Sequence, residues 1–267
     1  MLQKRALKME PPIHPLLVST LLFVGILISL EAGRRFGVNR RPRESEGERD
    51  SLGIIEGAIF GMLGLVLAFT FSGAASRFNE KRWLIAEEVN TIETAYLRVQ
   101  LLPPVAQPEL RELFRRYVDS RVATYRKLPD MAAAEKEMSG YKELQHEIWT
   151  KSVAASILPG SHPDAGKLLL PALNNMIDIS TTRTMALQIH PPRVIFALLF
   201  VLGVNCSVLA GYRIATGGHR SWLHVFGFAV MMVIIVFVTL DVEYPRAGLI
   251  RLESPDQLLL NIRESLK

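Results

Sequence analysis

Four stretches of the chain are apolar over lengths that suit a membrane, while the residues between the second and third recur instead in threes and fours. The second run, Leu52 to Ser72, carries one charge, Glu56. At about 1.5 Å of rise per residue, a helix of that length covers the roughly 30 Å hydrocarbon core of a bilayer. Ile13–Leu30, Val194–Tyr212 and Trp222–Leu240 are the other three, with Trp222 where an interfacial aromatic sits. The first run follows Lys4, Arg5 and Lys8, which is how a signal peptide begins. It is long, however, and ends in Glu31-Ala32-Gly33-Arg34-Arg35 without a small-x-small cleavage pattern, so a retained span is expected.

No proline follows the second run until Pro103. Phe78, Ile85, Val89, Ile92, Tyr96 and Val99 recur at helical spacing among charged residues, predicting one helix that crosses the membrane and continues into a helical domain. Further helices are expected over Pro108–Lys127, Met131–Ser156 and Pro163–Ile189, with Leu158-Pro159-Gly160-Ser161-His162 as a turn. Arg34 to Asp50 holds six arginines and four acids and reads as a short connector without packed structure. No stretch alternates like a strand.

The expected fold is therefore all-α and polytopic: four transmembrane helices with a helical domain between the second and third. Residues 1–75 form the first two spans, 76–190 the inserted domain, 191–241 the last two spans, and 242–267 a polar tail with a short amphipathic end. Gly53, Gly57, Gly61, Gly64 and Ala68 line one side of the second span at three- and four-residue intervals, a face on which another helix can approach closely.

Charge changes the picture little. The net charge is +5, and residues 76–190 hold 15 basic and 14 acidic side chains, a mixed solvated surface with no nucleic-acid stripe. The single cysteine, Cys206, excludes an intrachain disulfide framework. There is no phosphate loop, nucleophile elbow or His-Glu-x-x-His, so neither enzyme activity nor a cofactor is expected. His219 and His224 lack carboxylate company, and His162-Pro163-Asp164 reads as a turn. Glu56 lies near enough to the start of its span to reach the headgroups, the reading favoured over a functional intramembrane acid. Asp241 and Glu243 end the fourth span. They are weak candidates for a cation site, against plain termination with pairing to Arg246 or Arg251.

Gly64-Leu65-Val66-Leu67-Ala68-Phe69-Thr70-Phe71-Ser72-Gly73-Ala74-Ala75-Ser76-Arg77-Phe78, then Arg82, Glu87-Glu88-Val89-Asn90 and Ala95-Tyr96-Leu97, resemble the bestrophin-like domain family of bacterial membrane proteins. So does the tail Asp241-x-Glu243-x-Pro245-Arg246-x-Gly248-Leu249-Ile250. That family has no assigned activity and is remotely similar to bestrophins, pentameric anion channels with four spans and a cytoplasmic helical domain between the second and third. The resemblance implies a homo-pentamer in the bilayer that passes small anions along the second span. Counting back from Arg77 as bestrophin necks do gives Phe69, Leu65 and Gly61, which share one helix face. Gly61 departs from the bulky apolar pattern, and the acidic cluster of a calcium clasp is missing.

Arg77 and Arg82 would either concentrate anions at the pore mouth or pair with Glu80 and Glu87 along the helix. A reading of a different class stays open: a non-conducting scaffold whose helices bind a protein partner. Eight basic residues in the two short loops face ten near the spans on the other side, so charge does not fix orientation. The resemblance implies a bacterial inner membrane with the inserted domain and both termini in the cytoplasm.

Overall fold

The computed structural model describes residues 14–40, 45–127, 131–215, 222–244, 249–250 and 253–266. All regular structure among them is helical: α1 (Pro15–Arg40), α2 (Glu46–Arg98), α3 (Gln107–Lys127), α4 (Met131–Ser156), α5 (Ala165–Ala186), α6 (Arg193–Ile214), α7 (Trp222–Glu243) and α8 (Glu253–Ser265). The helices α1, α2, α6 and α7 are long and apolar enough to cross a membrane. The chain is thus a multi-pass membrane protein with a helical insertion after its second span. It divides into two units. One comprises the described residues within Ile13–Phe78 and His190–Ile250, the other those within Asn79–Ile189 and Arg251–Lys267. The 53-residue helix α2 contributes to both.

The membrane unit is built on the crossing of α1 and α6. A Cβ added to Gly33 would lie 2.0 Å from the Val208 carbonyl oxygen, and one added to Gly211 would lie 2.0 Å from that of Leu30. Neither position admits a side chain, and the two backbones touch. The contact extends along both helices: Gly33 and Gly37 on α1 meet Val208, Tyr212 and Ala215, and Gly211 on α6 meets Leu30 and Arg34. In lipid, where no hydrophobic effect drives helices together, such small-residue faces permit the van der Waals approach that does. Leu22, Ile26 and Leu30 then pack with Leu199 and Cys206, with Ala229 and Met232 of α7, and with Leu63 and Leu67 of α2.

The first helix runs further than expected. It continues from Leu30 through Arg40, into a segment whose composition reads as an unstructured connector. Glu31 accepts from Arg34 and Arg35, one turn on, at 2.9 to 3.0 Å, while Gly37 packs on Tyr212 and Ala215. Helical ion pairs and close packing outweigh the polar composition.

In the insertion, the stripe read from sequence on α2 enters the core. Ile92, Tyr96 and Val99 pack with Leu110, Phe114 and Tyr117 of α3, Tyr141 and Ile148 of α4, and Leu169, Leu173 and Met176 of α5. The α2–α3 corner is pinned by backbone bonds from Ala106 to Pro103 and from His162 to Leu101, both 2.9 Å. Gly160 takes the left-handed conformation (φ 87°) in the α4–α5 turn. The amphipathic tail forms α8, which buries Leu259 and Ile262 and joins α3 through Arg263 and Asp119 at 2.7 Å.

The crossing yields one prediction. Gly211→Val should destabilise the detergent-purified protein by about 3 kcal/mol, the upper range for overpacking, because the backbone it meets cannot yield. Gly227→Ala, where an added Cβ meets nothing within 4 Å, should leave the thermal midpoint unchanged. Equal midpoints for both variants would contradict the crossing.

Candidate functional site

The apolar part of α2 ends in a charged joint. Arg77 donates to the Glu243 carboxylate at the end of α7 through Nε and Nη2, at 2.9 and 2.8 Å on Oε2. His190, just before α6, places its Nδ1 3.0 Å from Glu243 Oε1 and stacks on Tyr244 with ring centroids 4.5 Å apart. The Glu243 side chain has no exposure. Beside it, Asp241 accepts the backbone N–H groups of Leu249 (2.7 Å) and Ile250 (2.8 Å), folding the chain back after α7.

Both acids therefore terminate α7 by pairing across the fold. The two carboxylates bond to different groups, and no group of three or more metal-ligating side chains exists among the described residues. Arg246 and Arg251, the partners suggested by sequence, lie outside the described residues. Arg77 bonds to Glu243, 166 residues away, and not along its own helix. Arg82, Glu80 and Glu87 are exposed on the following turns of α2. At the opposite end of the same apolar segment, Glu56 is buried and accepts from Arg213 of α6 at 3.0 Å. It is an inter-helix tie.

Between these ties, α2 presents a bare strip. Leu65 is 56% and Phe69 69% exposed, and Gly61 is exposed on the same face. A Cβ at Gly57, Gly61 or Gly64 would meet nothing within 4 Å. Of the small residues expected to pack, Gly53 touches the Arg213 side chain, and Ala68 is exposed. The close helix approach within the chain is made instead by Gly33 and Gly211, which sequence reading passed over. The strip continues at helical spacing through Ser72, Ser76 and Asn79, all exposed.

A second charged cluster lies inside the insertion, well beyond the apolar segment. Glu88 is wholly buried and accepts from Arg121 Nε and from Arg183 Nη1. Arg121 also donates to the Tyr125 hydroxyl. The two guanidiniums lie against aromatic faces, Arg121 at 4.4 Å from the Tyr141 centroid and Arg183 at 3.5 Å from that of Tyr125. Ring quadrupoles thus offset the second positive charge, which Glu88 alone cannot balance. Burial acts to raise the Glu88 carboxyl, but the two guanidiniums overcome it and hold the group below the ordinary glutamate range. Burial likewise lifts the Tyr125 phenol to about 12, so it stays neutral. Gln145 completes the network, donating to Tyr117 (3.2 Å) and Ser180 (2.9 Å). The cluster is buried and joins α2, α3 and α5.

Residues 23–255 match the bestrophin-like domain, and the chain belongs to that family. No curated protein and no solved structure matches it. Both stretches that carry the family resemblance meet in the joint, since Arg77 comes from one and Asp241 and Glu243 from the other.

Two predictions follow from the charges. Arg77→Ala removes the guanidinium from the buried Glu243 carboxylate, and should lower stability by about 1–3 kcal/mol in thermal unfolding of the purified protein. Added to Glu243→Gln it should cost less than the sum of the two single changes, because both remove one bond. Glu88→Gln strands two buried guanidiniums and should cost about 3–5 kcal/mol at neutral pH. A depressed carboxyl stabilises above its unfolded value and loses that contribution as pH falls through its folded value. The stability gap between wild type and Glu88→Gln should therefore narrow below the ordinary value of 4.5. A gap independent of pH would mean that Glu88 is not the charged partner.

Proposed function

We propose that this bestrophin-like chain forms a ring of identical subunits, five as in bestrophins, and passes small anions along an axis lined by α2. The observation that carries the reading is the bare strip. Leu65 and Phe69 are large apolar side chains left exposed among the described residues, on a span tied down at both ends. On a ring axis they would form an apolar constriction that gates by dewetting, and the small Gly61 would leave the neck wider on one side. Below the constriction, Ser72 and Ser76 would line the path with hydroxyls. The Arg77 guanidinium, engaged by Glu243, would position α2, and Arg82, exposed further along the helix, would stand at the mouth. In this reading the insertion and both termini are cytoplasmic, in a bacterial inner membrane.

Two exposed apolar side chains favour the scaffold as second reading. Val105 and Ile157, near the α2–α3 corner and the α4–α5 turn, are each 82% exposed, as a protein-docking surface would be.

The particle mass of the purified protein, with detergent subtracted, separates the two. Five subunits and a several-fold rise in chloride efflux from liposomes on Phe69→Ala are the expected results. A monomer or dimer removes the axis, and unchanged efflux removes Phe69 from the constriction.

A further inference from the structure

At the end of the membrane unit that carries the short connections, α1, α6 and α7 enclose a cavity of about 190 Å³. Its walls are apolar, chiefly Leu27, Leu30, Ile214, Val225 and the rings of Trp222 and Phe226, and its charged members are Glu31 and Arg34. Gly211 also lines it, so the backbone contact that locks α1 to α6 shapes the cavity too.

Three observations define its occupant. Trp222 and Phe226 are 50% and 43% exposed and stack with centroids 5.5 Å apart, an aromatic wall at the start of a span, where side chains meet the headgroup layer. Glu31 is shared by Arg34 and Arg35, so two guanidiniums stand against one carboxylate. Finally, residues 34–50 and 213–221 hold eight arginines and four acids, a surplus that attracts anionic headgroups. The volume admits part of an acyl chain and leaves a headgroup outside, beside the arginines.

We propose that this cavity binds one phospholipid with an anionic headgroup, its acyl chain against Trp222, Leu27 and Leu30 and its phosphate on Arg34 and Arg35. The site is independent of conduction and stands whether or not the chain forms a pore. Arg34 keeps its bond to Glu31 and offers its remaining N–H edge. Arg35, with its more exposed side chain, supplies the second donor.

The chain has three tryptophans, and only Trp222 belongs to the membrane unit, so it serves as the reporter. Full-length protein carrying Trp83→Phe and Trp149→Phe is placed in bilayers of phosphatidylcholine with a minority of lipid brominated on its acyl chains. Brominated phosphatidylglycerol should quench Trp222 at least twofold more than brominated phosphatidylcholine at equal mole fraction. Equal quenching overturns the proposal, because the cavity then takes any lipid. Arg34→Gln with Arg35→Gln should abolish the excess and leave phosphatidylcholine quenching as it was; a persisting excess overturns the headgroup assignment. Should that pair disturb both signals, Val225→Phe decides, since it fills the cavity and leaves the arginines. Loss of the excess there supports the site, and retention overturns it.

Discussion

A carboxylate without solvent exposure at the end of a membrane span needs polar partners, and Glu243 has Arg77. Because that bond joins α2 to α7, and His190 brings the start of α6 to the same carboxylate, three spans are tied at one place. Glu56 and Arg213 tie α2 to α6 at the other end. From Glu56 to Arg77 a helix rises about 30 Å, the thickness of a hydrocarbon core. The second span is therefore held where it enters and leaves the apolar layer, and the strip through Gly61, Leu65 and Phe69 lies between the ties. A helix so held can present large side chains to another subunit or to an axis without needing cover from its own chain.

The two units are stabilised by different physics. In the membrane unit, the closest approach is backbone on backbone at Gly33 and Gly211, as suits helices that gain nothing from excluding water. In the insertion, hydrophobic stripes do the main work, and Glu88 between Arg121 and Arg183 adds specificity at a desolvation cost. The tyrosine faces around that cluster explain how a net positive group stays buried. Each unit thus has its own core and its own ionic ties.

What was legible in the sequence is what local pattern encodes. Span lengths, the unbroken α2 and its stripe from Phe78 to Val99 follow from periodicity and from where proline falls. The run of α1 through Arg40 was not legible, because composition argued for a connector and the Glu31 pairs act against it. Small residues at four-residue intervals show that close approach is possible and leave the partner unnamed. The stripe from Gly53 to Ala68 therefore drew notice, while the contact itself joins Gly33 and Gly211. The ionic ties were least legible of all. Arg77 with Glu243 spans 166 positions and Glu56 with Arg213 spans 157. Glu88 looked no different from its exposed neighbour Glu87 until the helix's inward face was known. The tail motif around Asp241 and Glu243 was the one available signal for the joint.

Docking of α8 on α3 also sets an order of events during synthesis. Arg263 and Asp119 are 144 residues apart, and the last two spans lie between them. The α3 face that receives Leu259 and Ile262 is made early and must wait, uncovered, while α6 and α7 enter the membrane. The insertion folds as a domain interrupted by membrane integration. Its final closure reports that both later spans have been threaded, and a ribosome stalled before Glu253 would leave an apolar face open to chaperones and proteases.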